Sequence, residues 1–248
     1  MKVYSGKRSE TVAEIVINRP EVRNAVDFDV ISLLEKNVKE IKLDEKIRVL
    51  IIRGEGEAFC SGGDLHAFHQ LMTMEEAKTM LTSMSKVLKE IVAFPGITVS
   101  YLNGSAVGGG AELAAATDFS LSNGTGKLGF IQGSLHLTTG WGGASLLSRR
   151  VGKQAALSML GTGETFTMAT GMELGFIQDI VPDLEGVDRW TKKWLTRDVI
   201  QAYKGIIYPK GEMEELFLSI DKEVEACASL WEKKEHHDAV ARFLQSKK

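Results

Sequence analysis

Two short stretches of small residues are the parts of this chain most able to do chemistry. Residues 59–65 read Phe-Cys-Ser-Gly-Gly-Asp-Leu, and residues 103–112, about forty positions later, run from Asn-Gly-Ser to a triple glycine and Ala-Glu. Each follows a strand-like apolar run and opens into a helix-like segment, where backbone N–H groups lack partners. Glycine lets backbone approach a ligand closely. The two loops therefore predict a divided anion-stabilising site.

Two N–H donors that converge from different strands can hold the oxygen of a thioester carbonyl as it becomes an enolate. We expect Gly63 and Gly109 to be these donors. Glu112, three residues after Gly109, would face the carbon next to that carbonyl, and burial would raise its pKa. A glutamate in the first turn of a helix also stabilises the helix without any catalytic role. The spacing from Gly109 favours catalysis.

Glycine-rich turns before helices also occur in dinucleotide-binding and phosphate-binding sites. The glycines at 108–110 are not followed by the third glycine of the dinucleotide motif. Lys127 precedes Leu128 where a phosphate-binding loop needs Ser or Thr. The chain therefore matches neither the dinucleotide-binding motif nor the phosphate-binding loop. The glycines are therefore interpreted as oxyanion donors.

Several segments in register carry a resemblance to a known family. They are residues 18–25 (Asn-Arg-Pro-Glu-Val-Arg-Asn-Ala), the two loops, Asp118, and residues 141–143 (Trp-Gly-Gly). In order and spacing they resemble the crotonase, or enoyl-CoA hydratase/isomerase, family over nearly the whole chain. The resemblance implies an α/β fold, the ClpP/crotonase-like spiral of ββα turns with a C-terminal helical region. It also implies an acyl-CoA substrate, with coenzyme A as part of that substrate and no separate cofactor.

The hydratases of this family use two glutamates, and the chain matches only one of them. Glu112 matches the first, whereas Ser134 stands at the second position. Serine without an adjacent base transfers protons poorly near neutrality, so hydration loses one of its two agents and isomerisation loses its proton shuttle. His136 is a possible replacement, because imidazole titrates in the useful range. A hydrogen-bonded wall residue is the commoner role for such a histidine.

Decarboxylation of a substituted malonyl-CoA needs less from side chains, because loss of CO₂ itself generates the enolate. The first loop, the segment ending at 140–143 and the tail around Leu230 and Trp231 resemble the ethylmalonyl-CoA/methylmalonyl-CoA decarboxylase branch. We therefore expect a decarboxylating lyase. The alternatives are a 2-enoyl-CoA hydratase with Glu112 as its sole carboxylate and, from another class, a catalytically weak regulatory protein that binds CoA thioesters.

The resemblance also implies a substrate-binding set. In relatives the adenine lies against the backbone of the first loop, here residues 61–63, and basic residues near Arg23 hold the phosphates. The expected substrate-binding residues are Arg23, Ser61, Gly62, Asp64, Leu65 and Trp141.

Composition is that of an ordinary globular protein of 248 residues, with 44% hydrophobic residues, 25% charged residues and a net charge of −3. That charge, with no basic run interleaved with aromatics, argues against nucleic-acid binding. No apolar run approaches the roughly 20 residues needed to span a bilayer. Cys60 and Cys227 lack metal-site or disulfide spacing, so no metal is expected. Without a visible targeting signal, a cytoplasmic location is expected.

Hydrophobic periodicity predicts a strand over 12–17, a helix capped by Asp27, a strand over 48–53, a helix over 74–94 and a strand from Ile97. These belong to a core predicted over residues 1–184.

A C-terminal helical region is predicted over residues 185–248, with helices over 185–203 and 213–244. Its large aromatics, Trp190, Trp194 and Trp231, must be buried, either within the chain or against another subunit. The family resemblance implies a trimer or a dimer of trimers.

Overall fold

The computed structural model describes residues 1–245, whose strands form two sheets. The order is β1-β2-β3-β5-β7-β10 in the first sheet and β4-β6-β8-β9 in the second. The strands are β1 Val3–Ser9, β2 Val12–Ile17, β3 Val49–Gly54, β4 Ala58–Cys60, β5 Ile97–Leu102, β6 Ser105–Val107, β7 Phe119–Ser122, β8 Lys127–Gly129, β9 Thr165–Thr167 and β10 Asp179–Ile180.

Helices connect these strands and form most of the C-terminal part of the described chain. They are α1 Phe28–Leu43, α2 Leu65–Phe68, α3 Met74–Val92, α4 Gly109–Ala115, α5 Gly143–Val151, α6 Lys153–Thr162, α7 Met168–Glu173, α8 Leu184–Thr191, α9 Arg197–Ile207, α10 Lys210–Trp231 and α11 Lys234–Gln245. Two short 3-10 turns cover Pro20–Val22 and Gln132–Leu135.

The chain forms a spiral. Each turn adds one strand to the first sheet and one to the second, and a helix then leads back to the first sheet. The pairs are β3 with β4, β5 with β6, and β7 with β8. Strands β3, β5 and β7 are parallel neighbours, and parallel neighbours need crossover connections, which α3 and α4 supply. The predicted spiral of ββα turns is confirmed. The spiral brings the ends of β4 and β6, and hence both glycine loops, to the same edge.

The predicted elements of the core are confirmed with small shifts at their ends. The Asp27 carboxylate accepts a hydrogen bond from Val30 N at 2.9 Å and caps α1. Helix α3 starts behind a capping box formed by Thr73 and Glu76 and ends at Val92, shortly before the predicted end. Asp118, one residue before β7 begins, accepts from Lys204 Nζ at 2.8 Å.

Each long helix predicted in the C-terminal region is in fact two helices. The break between α8 and α9 lets Arg197 donate to the Lys42 carbonyl at the end of α1, at 2.9 Å. The break after Trp231 turns α11 back onto the Gln132–Leu135 turn. Amphipathic spacing continues through both breaks, so periodicity alone did not reveal them.

The large aromatics of the C-terminal region pack within the chain, with Trp231 buried and Trp190 and Trp194 partly buried. Trp231 is buried and donates Nε1–H to the Leu71 carbonyl at 2.9 Å. Trp190 and Trp194 pack against Phe119, with ring centroids 5.4 and 5.0 Å away. The division at residue 184 stays a prediction, and residues 246–248 of the predicted region lie outside the described residues. Among the helices of residues 1–245, none has the length and apolar character needed to cross a bilayer.

Candidate active site

A cavity of about 610 Å³ opens between the two glycine loops, α3, the Gln132–Leu135 turn and the last two helices. Most of the residues that the sequence singled out line it together. They are Arg23, Ser61, Gly62, Gly63, Asp64, Leu65, Gly109, Glu112, Ser134 and Trp141. His136 is exposed and is not among the described residues that line the cavity.

The first loop holds Gly63 so that its N–H points away from Val26, the residue beside it. Val26 N donates to the Gly62 carbonyl and Asp64 N donates to the Val26 carbonyl, both at 2.8 Å. This parallel bridge uses the groups on either side of Gly63, so the Gly63 N–H points to the other side. Within residues 1–245 that N–H donates no hydrogen bond.

The second loop brings the Gly109 N–H next to the first. Gly109 is the first residue of α4, behind Gly108 with a φ of +56°, so its N–H has no acceptor inside the helix. A Cβ atom on Gly62, where φ is +95°, would lie 2.9 Å from Gly109 N. The two loops therefore touch, and two backbone donors are available at one end of the cavity.

Trp141 forms the wall against these donors. A Cβ atom on Gly109 would lie 2.2 Å from Trp141 Cζ3, and one on Gly63 would lie 3.7 Å from Trp141 Cζ2. The indole is buried, so any side chain at position 109 would displace it. Glycine is therefore needed at 109 for close packing, in addition to its role as a donor.

The Glu112 carboxylate is only 2% exposed and is surrounded by N–H donors. Oε2 accepts from Trp141 N at 2.8 Å and from Gly143 N at 2.9 Å. Oε1 accepts from Gln132 Nε2 at 2.7 Å and, weakly, from Gly140 N at 3.5 Å. Glu112 thus holds the loop that carries the Trp141 wall.

Burial raises the pKa of Glu112 to about 8, and the charge of Glu223 adds to the rise. The N–H groups of Trp141 and Gly143 lower the pKa but do not outweigh burial. Glu112 therefore keeps a proton near pH 7. Because Oε2 already accepts two hydrogen bonds, that proton belongs on Oε1, facing Gln132. The Gln132 Oε1 atom is buried without a partner, and a flipped amide would accept the proton.

Glu223, on α10, is a second, partly buried carboxylate at the same loop that the sequence did not reveal. Its Oε2 accepts from Ser145 N and Ser145 Oγ at 2.9 and 2.8 Å. Its Oε1 accepts from Thr139 Oγ1 at 2.5 Å and from Ala144 N at 3.1 Å. Glu112 and Glu223 thus share the N-terminal end of α5, which favours negative charge. In a helix rich in Glu and Lys, nothing in the sequence marked Glu223.

The position of the absent second glutamate is occupied by a serine that is already engaged. Ser134 lines the cavity, and its Oγ donates to the Ile131 carbonyl at 2.7 Å. His136 ends the turn in the left-handed region, with a φ of +55°. His66, just after the first loop, lines the cavity. The cavity-lining histidine that contacts this turn is His236 of α11, whose Nδ1 lies 2.8 Å from the Leu135 carbonyl oxygen. Its separation from the turn along the chain hid it from sequence reasoning.

The mouth of the cavity is built around Arg23. This residue is exposed, has a φ of +54° and accepts a hydrogen bond from Ser61 N at its carbonyl, at 3.0 Å. Asp64 accepts from Arg19 at 3.0 Å and from His66 N at 3.1 Å, where it caps α2. Asp64 therefore supports the first loop, while the Arg23 side chain extends at the cavity edge.

Comparison with solved structures defines the fold class. An enoyl-CoA hydratase from Bacillus halodurans superimposes with a TM-score of 0.89 and 21% identity, over 98% of this chain and 100% of that chain. The fold is therefore the crotonase fold, as the sequence predicted. The family model for enoyl-CoA hydratase/isomerase matches residues 7–248. The chain belongs to the enoyl-CoA hydratase/isomerase family.

Two named relatives refine this placement. An ethylmalonyl-CoA decarboxylase of Xenopus laevis is 31% identical over 91% of this chain and 77% of that protein. Its name matches the branch that the sequence motifs resemble, so the predicted resemblance is confirmed. The enoyl-CoA hydratase domain-containing protein 2, mitochondrial, of Bos taurus is 33% identical over 71% of this chain and 60% of that protein. Since that name includes a mitochondrial location, the expected cytoplasmic location stays a prediction.

Proposed function

We propose that the cavity binds a short acyl-CoA thioester and stabilises its enolate through the N–H groups of Gly63 and Gly109. The preferred reaction is decarboxylation of a substituted malonyl-CoA such as ethylmalonyl-CoA. Arg23 and the backbone at 61–63 would hold the CoA portion at the mouth. Family membership and the name of the Xenopus relative support this proposal.

The observation that carries the proposal is the engaged Ser134 at the second acid–base position. Its hydroxyl donates to the Ile131 carbonyl, which cannot take up a proton near neutrality, and within residues 1–245 it makes no hydrogen bond to a base. Decarboxylation does not need one. The bond between Cα and the substrate carboxylate breaks, CO₂ leaves, and the electron pair moves onto the thioester oxygen between the two N–H donors. The enolate then takes up one proton at Cα, from Glu112 or from another titratable group of the wall.

Hydration of a 2-enoyl-CoA is the second candidate, favoured by the raised pKa of Glu112. A carboxyl group with a pKa of about 8 can both give and take a proton near neutrality. In this reaction Glu112 would have to activate water and protonate Cα alone. The contacts of both its oxygens oppose that double role.

The test compares CO₂ release from ethylmalonyl-CoA and methylmalonyl-CoA with the loss of the conjugated absorbance of crotonyl-CoA. The variants are Glu112→Gln and Ser134→Glu. For a decarboxylase we expect CO₂ release in the wild type and partial release in Glu112→Gln, because CO₂ leaves without a base. Hydration alone in the wild type, erased by Glu112→Gln and raised by Ser134→Glu, would support the second candidate. Thioester binding without turnover at micromolar enzyme would indicate a regulatory binder.

A further inference from the structure

Helix α11 places a histidine in the cavity wall beside the position of the absent carboxylate. His236 is 2% exposed and lines the cavity. Its Nδ1 lies 2.8 Å from the carbonyl oxygen of Leu135, the residue that follows Ser134. The Gln132–Leu135 turn carries Ser134 where the relatives have a glutamate. An acid–base side chain from α11, His236, contacts this turn instead.

The contacts of His236 fix both its tautomer and its ring plane. The Leu135 carbonyl can only accept a hydrogen bond, so Nδ1 carries the hydrogen and Nε2 the lone pair in the neutral ring. The ring packs on Trp231 with centroids 4.8 Å apart, and Trp231 is itself held by the Leu71 carbonyl. Within residues 1–245, His236 Nε2 makes no hydrogen bond. It is a positioned group available to a ligand in the cavity.

Glu112 is a poorer source of a proton for a bound substrate. Its two oxygens contact the backbone N–H groups of Trp141 and Gly143 and the amide of Gln132. The proton that it keeps near neutrality faces Gln132. Delivering that proton would require breaking the contact between Glu112 Oε1 and the Gln132 amide.

We propose that His236 delivers the proton that the thioester enolate receives at its α-carbon; this rests on the decarboxylation proposed above. The Nε2–H bond breaks, a C–H bond forms at Cα, and the enolate electron pair returns to carbon as the thioester carbonyl reforms. His236 is left neutral and regains a proton from water. Each turnover thus consumes one proton and releases one CO₂.

The charge of the bound substrate would decide whether His236 carries a second proton. Burial lowers the pKa of His236 below its usual 6.5, and His237 on the same helix and His136 on the adjacent turn lower it further. The empty cavity therefore favours the neutral ring. A malonyl-type substrate brings its own carboxylate, and an opposite charge nearby raises the pKa of an imidazole. Binding of the anion then charges His236 for the step in which that anion is lost.

The variant His236→Gln tests the proposal, because glutamine can still donate to the Leu135 carbonyl but does not titrate. The matched control is His69→Gln, the same change at an exposed histidine that is not among the described residues lining the cavity. The assay is exchange of the α-hydrogens of butyryl-CoA in D₂O, the reverse of enolate protonation, followed by NMR. Loss of a general acid costs ~10²–10⁴ in rate, so we expect at least a tenfold loss of exchange in His236→Gln. Exchange in His69→Gln should stay within about threefold of the wild type.

A second readout distinguishes catalysis from folding. In the wild type, kcat/KM for ethylmalonyl-CoA should fall as pH rises through the pKa of His236, and this limb should be absent in His236→Gln with an unchanged thermal midpoint. In ¹⁵N-histidine spectra of the free wild type, His236 should be protonated at Nδ1 and not at Nε2. Wild-type exchange in His236→Gln, or the opposite tautomer, would overturn the proposal.

The two proposals can fail separately. If the wild type releases no CO₂ from ethylmalonyl-CoA but exchanges butyryl-CoA through His236, the decarboxylation is wrong and the role of His236 as a proton carrier stands. If CO₂ is released and His236→Gln exchanges normally, only the role of His236 is wrong. A wild type that does neither overturns both.

Discussion

The central residues of this site are Gly63 and Gly109. At Gly109 the lack of a side chain matters both for packing and for the backbone N–H donor. At position 109 the absence of a Cβ atom admits the Trp141 ring, and the N–H at the start of α4 is left for a ligand. Both requirements apply to Gly109. A test of its N–H donor therefore needs two variants that disturb the packing against Trp141 alike but differ in whether they keep the N–H.

Gly109→Pro and Gly109→Ala make that separation. Both introduce a Cβ atom that clashes with Trp141, but only proline removes the N–H. Losing one oxyanion donor typically costs ~10²–10³ in kcat, so Gly109→Pro should be slower than Gly109→Ala by about that factor. Steady-state kinetics on folded protein measures the difference. Equal activity of the two variants would remove Gly109 N–H from the oxyanion site.

Glu112 makes a separate prediction about stability. Its pKa is about 8 in the fold against 4.5 ordinarily, so between these values the folded state binds more protons than the unfolded state. Stability therefore falls as pH rises through this window, by at most about 1.4 kcal/mol per pH unit. Urea unfolding from about pH 5 to about pH 8 should show this fall in the wild type and lose it in Glu112→Gln. A control, the exposed Glu164→Gln, should keep it.

At the scale of elements, the N-terminal end of α5 organises the reacting end of the cavity. Glu112 from α4 and Glu223 from α10 together accept hydrogen bonds from five backbone N–H groups, those of Gly140, Trp141, Gly143, Ala144 and Ser145. A spiral turn and the C-terminal helices thus meet on one loop. This junction connects the stability of the helical region to the shape of the site.

Removing Glu223 should therefore cost stability, while a neighbour on the same helix should not. Glu223→Ala removes the acceptor of the buried Thr139 hydroxyl and of the partly buried Ala144 and Ser145 N–H groups, and leaving such donors unsatisfied costs ~1–3 kcal/mol. Glu225→Ala breaks only an exposed ion pair with Lys78, a change typically under about 1 kcal/mol. Chemical unfolding of both variants measures the difference. A loss in Glu223→Ala no larger than in Glu225→Ala would contradict the role assigned to this junction.

At the scale of the whole molecule, local patterns predicted most strands and helices and one half of the site, and the family resemblance predicted the spiral. The glycine loops and Glu112 were found from residues a few positions away, and Ser134 from the family's second glutamate position. Glu223 and His236 were not, since they meet the site only after the C-terminal helices fold back over it. The breaks within those helices were missed because amphipathic spacing continues through them. Trimer or hexamer formation stays a prediction.

The most direct test of the whole account is turnover of ethylmalonyl-CoA in D₂O. The account predicts release of CO₂ together with butyryl-CoA that has taken up deuterium at its α-carbon, because the enolate takes its proton from a group in exchange with solvent. Gly109→Pro should lose both products in parallel, since CO₂ release and deuterium uptake pass through the same enolate. Efficient loss of crotonyl-CoA absorbance with no CO₂ released from ethylmalonyl-CoA would contradict it.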